Sequence, residues 1–137
     1  MPSLYWFPAA LVSLLCFGLW GFFSKLTIDY IDAKSALFYQ SLGVATIGFL
    51  ALMLLHFKPA ATTKGISFGF LTGVAYGVGC LFYFIAADRG KVTTVVTMTA
   101  LYPLITIFLA YILLHEAINL RQSCGIILAL AAIYLLS

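Results

Sequence analysis

The chain has 137 residues, of which 64% are hydrophobic and 8% are charged, and its formal net charge is +3. A soluble domain is about half apolar and about a quarter charged, so this composition excludes a soluble globular protein and predicts an integral membrane protein. The seven basic and four acidic residues lie in short clusters between apolar runs. That pattern predicts charged loops beside a lipid bilayer and no nucleic-acid-binding surface.

The apolar runs predict five transmembrane helices. A hydrocarbon core of roughly 30 Å is crossed by about 20 helical residues. Segments of that length fit the chain at residues 4–24, 35–57, 65–87, 93–114 and 121–136. They predict an all-α integral membrane fold with a single domain over residues 1–137. Because Met1 to Phe7 contain no basic side chain, we expect the first segment to be a retained helix rather than a secretory signal.

The connections between these segments carry nearly all the charge. With five spans, four basic residues share the C-terminal side of the membrane and three lie on the other side, and these are Lys25, Lys34, Arg89 and Lys91 against Lys58, Lys64 and Arg121. Orientation normally follows an excess of Lys and Arg in cytoplasmic loops, and a difference of one residue barely favours either orientation. The chain is therefore compatible with dual topology and with an antiparallel homodimer.

The third segment carries four glycines spaced four residues apart, at Gly65, Gly69, Gly73 and Gly77. Residues at this spacing share a helix face, and small residues there let two helix backbones approach closely in lipid. Two interpretations remain open. The face is either a seam against another helix of the same chain or a dimer interface.

The fourth segment holds a proline close to its centre. Pro103 donates no backbone hydrogen bond, so the Thr99 carbonyl loses its helical partner and we expect a bend. Thr99, Pro103 and Thr106 share a face by their spacing, which suits a polar cavity near the midplane. A purely structural kink with a threonine satisfying the carbonyl is the alternative.

The residues present do not form a recognisable catalytic set. No acidic residue lies deep in a predicted segment, neither HExxH nor GxSxG occurs, and His56 and His115 lie at segment ends. Cys16, Cys80 and Cys124 show no spacing typical of a metal or redox site, so we interpret them as packing residues. The sequence thus predicts no enzyme, no metal site and no cofactor, and the missing intramembrane carboxylate favours transport without proton coupling.

Mild polar and aromatic side chains remain inside the predicted helices. They suit an uncharged or zwitterionic organic solute, and the candidates for a substrate path are Trp20, Gln40, Tyr76, Thr99, Tyr102, Pro103 and Thr106. Other aromatic residues lie within reach of segment ends, where an interfacial belt is expected: Tyr5, Trp6, Tyr39, Phe57, Tyr83, Tyr111 and Tyr134.

Two stretches together resemble a known family. The stretch LLCFGLWGFFSKL, with its Trp20–Gly21 pair before a serine and a lysine, resembles the first helix of EamA-type proteins of the drug/metabolite transporter superfamily. The second half, from LFYFIAADRGK through the proline-bearing segment to the last helix, resembles the second half of the EamA repeat. The resemblance covers nearly the whole chain.

The resemblance implies one five-helix repeat, whereas full-length relatives have two inverted repeats around a central cavity. The family's glutamate, glutamine and glycine near the last helix correspond to Glu116, Gln122 and Gly125. Glu116 can pair with Arg121 or accept amides of the next helix, so we interpret these two residues as a structural hinge. His115 stands where many relatives carry a small residue, so no special role is implied for it.

These observations predict a half-size transporter, an exporter or a facilitator, of small metabolites, amino acids or drug-like compounds. A lone repeat needs a partner to enclose a path, so we expect a homodimer, in antiparallel or parallel arrangement. The expected location is the cytoplasmic membrane of a bacterium or archaeon. The alternative is a non-transporting membrane subunit that assembles with or regulates another membrane protein through its glycine face.

Overall fold

The computed structural model describes residues 6–115 and 119–136. Its elements, in chain order, are α1 (Trp6–Ile28), α2 (Ala33–Leu54), α3 (Thr63–Arg89), α4 (Val92–Thr99), α5 (Tyr102–Leu113) and α6 (Leu120–Leu136). Within the described residues, four stretches are long and apolar enough to cross a membrane, at residues 6–28, 33–54, 63–89 and 92–113, and a shorter apolar helix covers 120–131. The all-α membrane fold with five apolar helical segments is confirmed.

The helices form two compact units, Met1–Arg89 and Gly90–Ser137. In the first unit, α1, α2 and α3 all contact one another. In the second unit, α4 packs against α6. The expectation of a single domain over residues 1–137 stays a prediction.

The core of the first unit lies near the α1–α2 turn and the C-terminal end of α3. Buried residues there come from all three helices, and they are Gly21, Ser24, Ile28, Ala36, Cys80, Tyr83, Phe84 and Ala87. Ala36 and Ala87 are almost completely buried, and their small side chains let the helices approach closely. Elsewhere the helices expose mostly apolar side chains, as expected of surfaces that contact lipid.

One lysine ties α1 to α3 at this packed end. Lys25 Nζ lies 2.9 Å from Asp29 Oδ1, one helical turn further along the chain. It also donates a hydrogen bond of 3.4 Å to the Ala87 carbonyl in the last turn of α3. The last carbonyls of a helix lack intrahelical partners, so a lysine is favourable there.

The predicted fourth segment is two helices. α4 ends at Thr99 and α5 begins at Tyr102, which places Pro103 in the first turn of α5. A proline is well accommodated there, because the first amides of a helix have no intrahelical acceptor. The turn between the helices is held by bonds from Ala100 N to Val96 O (2.9 Å) and from Leu101 N to Met98 O (3.2 Å). The proline therefore accompanies an interruption of the helix rather than a bend in a continuous one.

The start of α2 is capped by Asp32. Its Oδ2 accepts bonds from the backbone amides of Lys34 (3.0 Å) and Ser35 (3.2 Å), and its Oδ1 accepts a 2.6 Å bond from Ser35 Oγ. These bonds favour the ionised carboxylate, the Ser35 hydroxyl most of all, and they hold the pKa of Asp32 below its ordinary value. Because the pKa of Asp32 is lower in the folded protein, the stability that the cap contributes depends on pH.

We expect the Asp32 cap to weaken in acid. Because the folded-state pKa is depressed, its contribution is present above the unfolded pKa of about 3.9 and is lost as the pH falls through the folded value. Thermal unfolding in detergent, measured from about pH 6 to about pH 3, should show a fall in wild-type stability that Asp32→Asn lacks. Ser35→Ala should move that fall to higher pH. An equal difference between wild type and Asp32→Asn at every pH would contradict the cap's ionisation.

Candidate functional site

Three residues predicted for the substrate path meet in the first unit. Trp20 Nε1, on α1, donates a 2.9 Å hydrogen bond to Gln40 Oε1, on α2. Gln40 Nε2 donates a longer bond of 3.4 Å to Tyr76 Oη, on α3. One amide therefore links all three helices of the unit, and we call Trp20, Gln40 and Tyr76 the polar cluster.

The polar cluster lies inside the membrane-spanning part of each helix. At a rise of about 1.5 Å per residue, Trp20 is roughly 12 Å from the end of α1 and Gln40 roughly 10 Å from the start of α2. Tyr76 is the middle residue of α3. At such depth, an unpaired amide or indole N–H would be costly, so the bonds within the cluster stabilise the unit.

A pocket of about 270 Å³ adjoins two members of the cluster. Its lining residues are Trp20, Phe23, Ser24, Thr27, Ala36, Tyr39, Gln40 and Phe84. None of these eight side chains carries a formal charge. Aromatic faces, an amide and hydroxyls therefore make up an uncharged lining.

Several of these lining residues were not predicted from the sequence. Tyr39 was assigned to the interfacial belt, yet it lines the pocket. Phe23, Ala36 and Phe84 are common residue types in any membrane helix, so no signal in a single sequence distinguishes them. Thr27 donates its hydroxyl to the Phe23 carbonyl at 2.8 Å, which leaves the oxygen able to accept a further bond.

Tyr83 was also assigned to the interfacial belt, and its burial places it elsewhere. Only 6% of the residue is exposed. Its ring lies 4.7 Å from the Trp20 ring at an interplanar angle of 41°, and 6.4 Å from the Phe84 ring at 73°. Tilted and edge-on ring pairs of this kind stabilise a core. Tyr83 therefore fixes the Trp20 indole by ring packing, in addition to the hydrogen bond from Trp20 to Gln40.

The other predicted path residues belong to the second unit. The Thr99 hydroxyl donates to the carbonyls of Val95 (2.9 Å) and Val96 (3.1 Å) in its own helix. The Thr106 hydroxyl donates to the Tyr102 carbonyl at 3.4 Å. Both hydroxyls thus satisfy local backbone, whereas Tyr102 and Pro103 are exposed at the start of α5. Their role in a path stays a prediction.

The glycine face of α3 is open. A Cβ added at Gly69, Gly73 or Gly77 would meet no described atom within 4 Å. At Gly65 it would lie 2.8 Å from Thr62 Oγ1, which accepts a 3.2 Å bond from the Gly65 amide at the start of the helix. Within the first unit, Gly69, Gly73 and Gly77 do not form a close seam with α1 or α2. Both interpretations of the glycine face stay predictions.

Glu116 lies outside the described residues. Arg121 is exposed in the first turn of α6. The start of α6 is capped by a different pair: Asn119 N donates to Gln122 Oε1 and Gln122 N donates to Asn119 Oδ1, both at 2.9 Å. This reciprocal arrangement is a capping box, and it satisfies two backbone amides at the start of α6. The hinge role of Glu116 and Arg121 stays a prediction.

His56 and His115 adopt a conformation rarely found outside glycine. Their φ angles are 51° and 55°, and they follow the C-terminal ends of α2 and α5. Residues in this left-handed region commonly end helices. Among the described residues, no three His, Cys, Asp or Glu side chains are grouped as metal ligands.

Replacing the linking amide should uncouple the three helices. We expect Gln40→Leu to lower unfolding free energy by about 0.5–2 kcal/mol, because Trp20 and Tyr76 both lose a partner. In a Trp6→Phe background, the fluorescence of Trp20 should also change. Thr46→Val is the matched control on α2, since the Thr46 hydroxyl bonds only the Leu42 carbonyl of its own helix. Identical stability and emission in both variants would contradict the cluster.

The chain is similar to a family of membrane transporters and to several individual proteins. The sequence profile of the EamA-like transporter family matches residues 4–137. An uncharacterized protein of Methanocaldococcus jannaschii is 30% identical over 125 residues, which are 88% of each chain. An uncharacterized transporter of Helicobacter pylori is 27% identical over 93% of this chain and 43% of its own length. A probable glucose uptake protein, GlcU, of Staphylococcus aureus is 30% identical over 86% of this chain and 42% of its own length.

The chain therefore spans most of the archaeal relative and less than half of both transporter-named relatives. No solved structure matches it. The apolar helices make it a multi-pass integral membrane protein in contact with lipid. With a family match over nearly its whole length, the chain belongs to the EamA-like transporter family.

Proposed function

We propose that the protein is a half-size facilitator of small uncharged organic solutes, working as a dimer. The observation that carries this proposal is the uncharged pocket beside the polar cluster. A charged solute would need an opposite charge inside the membrane to offset its desolvation, and the pocket lining has none. An amide, hydroxyls and aromatic faces instead complement the hydroxyls and C–H faces of a neutral solute.

The relatives suggest which solute to test first. Two of the similar proteins are a probable glucose uptake protein of Staphylococcus aureus and a glucose uptake protein of Staphylococcus xylosus. A hexose offers many hydroxyls and no charge, which agrees with the pocket lining. Glucose is therefore the first candidate within the proposed class, ahead of amino acids and drug-like compounds.

Movement down a gradient is the simplest mechanism for this site. Proton-coupled transporters usually keep an ionisable Asp, Glu or His within the membrane as a relay. The residues that line the pocket include none of these. We propose facilitated diffusion, with a flux that does not depend on a pH gradient.

A dimer would match the length of the longer relatives. The chain corresponds to 43% and 42% of two transporter-named relatives, so two copies approximate one of them. Inverted-repeat transporters form their path between two halves. The basic loop residues divide four against three between the two sides of the membrane, and this near-balance suits copies inserted in opposite orientations. The proposed location is the cytoplasmic membrane of a bacterium or archaeon.

The function is tested by flux through the purified protein. Vesicles reconstituted with the chain should take up labelled D-glucose saturably and show counterflow, without a pH gradient. The solute panel adds D-ribose, glycerol and zwitterionic L-leucine. We expect Gln40→Leu to reduce the flux several-fold and Thr46→Val to leave it unchanged. If the wild-type protein moves no solute of the panel beyond empty vesicles, the non-transporting subunit becomes the better interpretation.

The dimer is tested at the glycine face. A Cβ added at Gly73 meets nothing within 4 Å beyond the backbone of its own helix. We therefore expect Gly73→Leu to preserve the folded monomer while lowering the dimer fraction. The control is Gly48→Leu on α2, where an added Cβ also meets nothing within 4 Å. Light scattering in mild detergent and cross-linking in membranes report the oligomer. Equal dimer fractions in both variants would contradict an interface at this face.

A further inference from the structure

The hydroxyl of Tyr83 is buried and has no hydrogen-bond partner in the part of the chain that the structure describes. The residue is 6% exposed. Among the described residues, Tyr83 Oη is the buried side-chain oxygen or nitrogen for which no hydrogen-bond partner is found. Such groups are uncommon in folded proteins, and each one calls for a physical explanation.

Packing explains the ring of Tyr83 but not its hydroxyl. The contacts of Tyr83 with Trp20 and Phe84 are made between rings. A phenylalanine would make the same ring contacts without removing a hydroxyl from water. The unpaired hydroxyl costs about 1–3 kcal/mol, and no described residue offsets that cost.

Tyr83 extends the polar cluster along α3. Tyr76 and Tyr83 are seven residues apart, which places them on one helix face and roughly 10 Å apart along the axis. Trp20 connects the two tyrosines, because its indole N–H reaches Tyr76 through Gln40 and its ring packs on Tyr83. Tyr83 is not among the pocket-lining residues, but its ring packs on Trp20, which lines the pocket and belongs to the polar cluster.

We propose that Tyr83 Oη is a hydrogen-bonding position for the transported solute, one step beyond Trp20, Gln40 and Tyr76. This proposal rests on the proposed function. A phenol both donates and accepts, so the group it recognises is a hydroxyl or carbonyl oxygen of a neutral solute. Tyr83 is then a specificity-determining residue as well as a packing residue.

The test is Tyr83→Phe, compared with Tyr30→Phe as a matched control. Tyr30 is 86% exposed and follows α1, so losing its hydroxyl should change nothing. For Tyr83→Phe, we expect the KM for D-glucose to rise about 3- to 10-fold, as for one lost hydrogen bond. Thermal stability should stay equal or increase, because an unpaired buried hydroxyl is removed.

Each other outcome overturns the proposal. An unchanged KM with equal or higher stability means that the hydroxyl does not contact the solute. A lower melting temperature or a smaller dimer fraction, with KM unchanged, means that a second copy of the chain supplies its partner. If the wild-type vesicles move no solute of the panel, the proposed function fails and this inference fails with it. If wild-type flux is normal and Tyr83→Phe behaves as wild type, only the inference fails.

Discussion

Polar groups inside the hydrocarbon core must find their partners within protein or water, because lipid offers none. The Gln40 amide meets this requirement on two sides, accepting from Trp20 and donating to Tyr76. Each of its bonds is directional, so rotation of any of the three helices about its axis would break at least one of them. This requirement, more than apolar packing alone, sets the relative rotation of α1, α2 and α3, since lipid solvates apolar side chains as well as a neighbouring helix does.

The packed end of the first unit shows how close contact is obtained under the same constraint. Ala36 and Ala87 are nearly inaccessible, so backbones approach where side chains are smallest. Lys25 then joins α1 to the last turn of α3 through the Ala87 carbonyl. The pocket lies between these contacts and the polar cluster, lined by Ser24 and Thr27 on either side of Lys25. Its position follows from where close packing gives way to larger aromatic side chains.

Hydropathy predicted the five apolar segments and their approximate lengths, because a long apolar run in this chain has no alternative to spanning the membrane. It did not predict that the fourth segment is divided into α4 and α5. Trp20, Gln40 and Tyr76 were three of the seven candidates for the substrate path, chosen because polar groups are scarce inside apolar helices, but their mutual contact was not predicted. The burial of Tyr83 and the pocket roles of Tyr39 and Phe84 were not predicted. A membrane helix is apolar on every face, so its sequence periodicity does not indicate which side meets a neighbouring helix. The glycine spacing shows the same limit, since it identified a face but not whether the face packs within the chain.

The interruption between α4 and α5 extends the constraint to the second unit. Thr99, the last residue of α4, is seven positions after Val92, so the break lies roughly 10 Å along a stretch of 22 residues and away from either end. Carbonyls freed at that depth are stable only against protein or a water-filled cavity. The Thr99 hydroxyl donates hydrogen bonds to two of the preceding carbonyls, those of Val95 and Val96. The remaining backbone of the turn has the same requirement, so exposing it to lipid would cost more than exposing any other part of the 22-residue stretch.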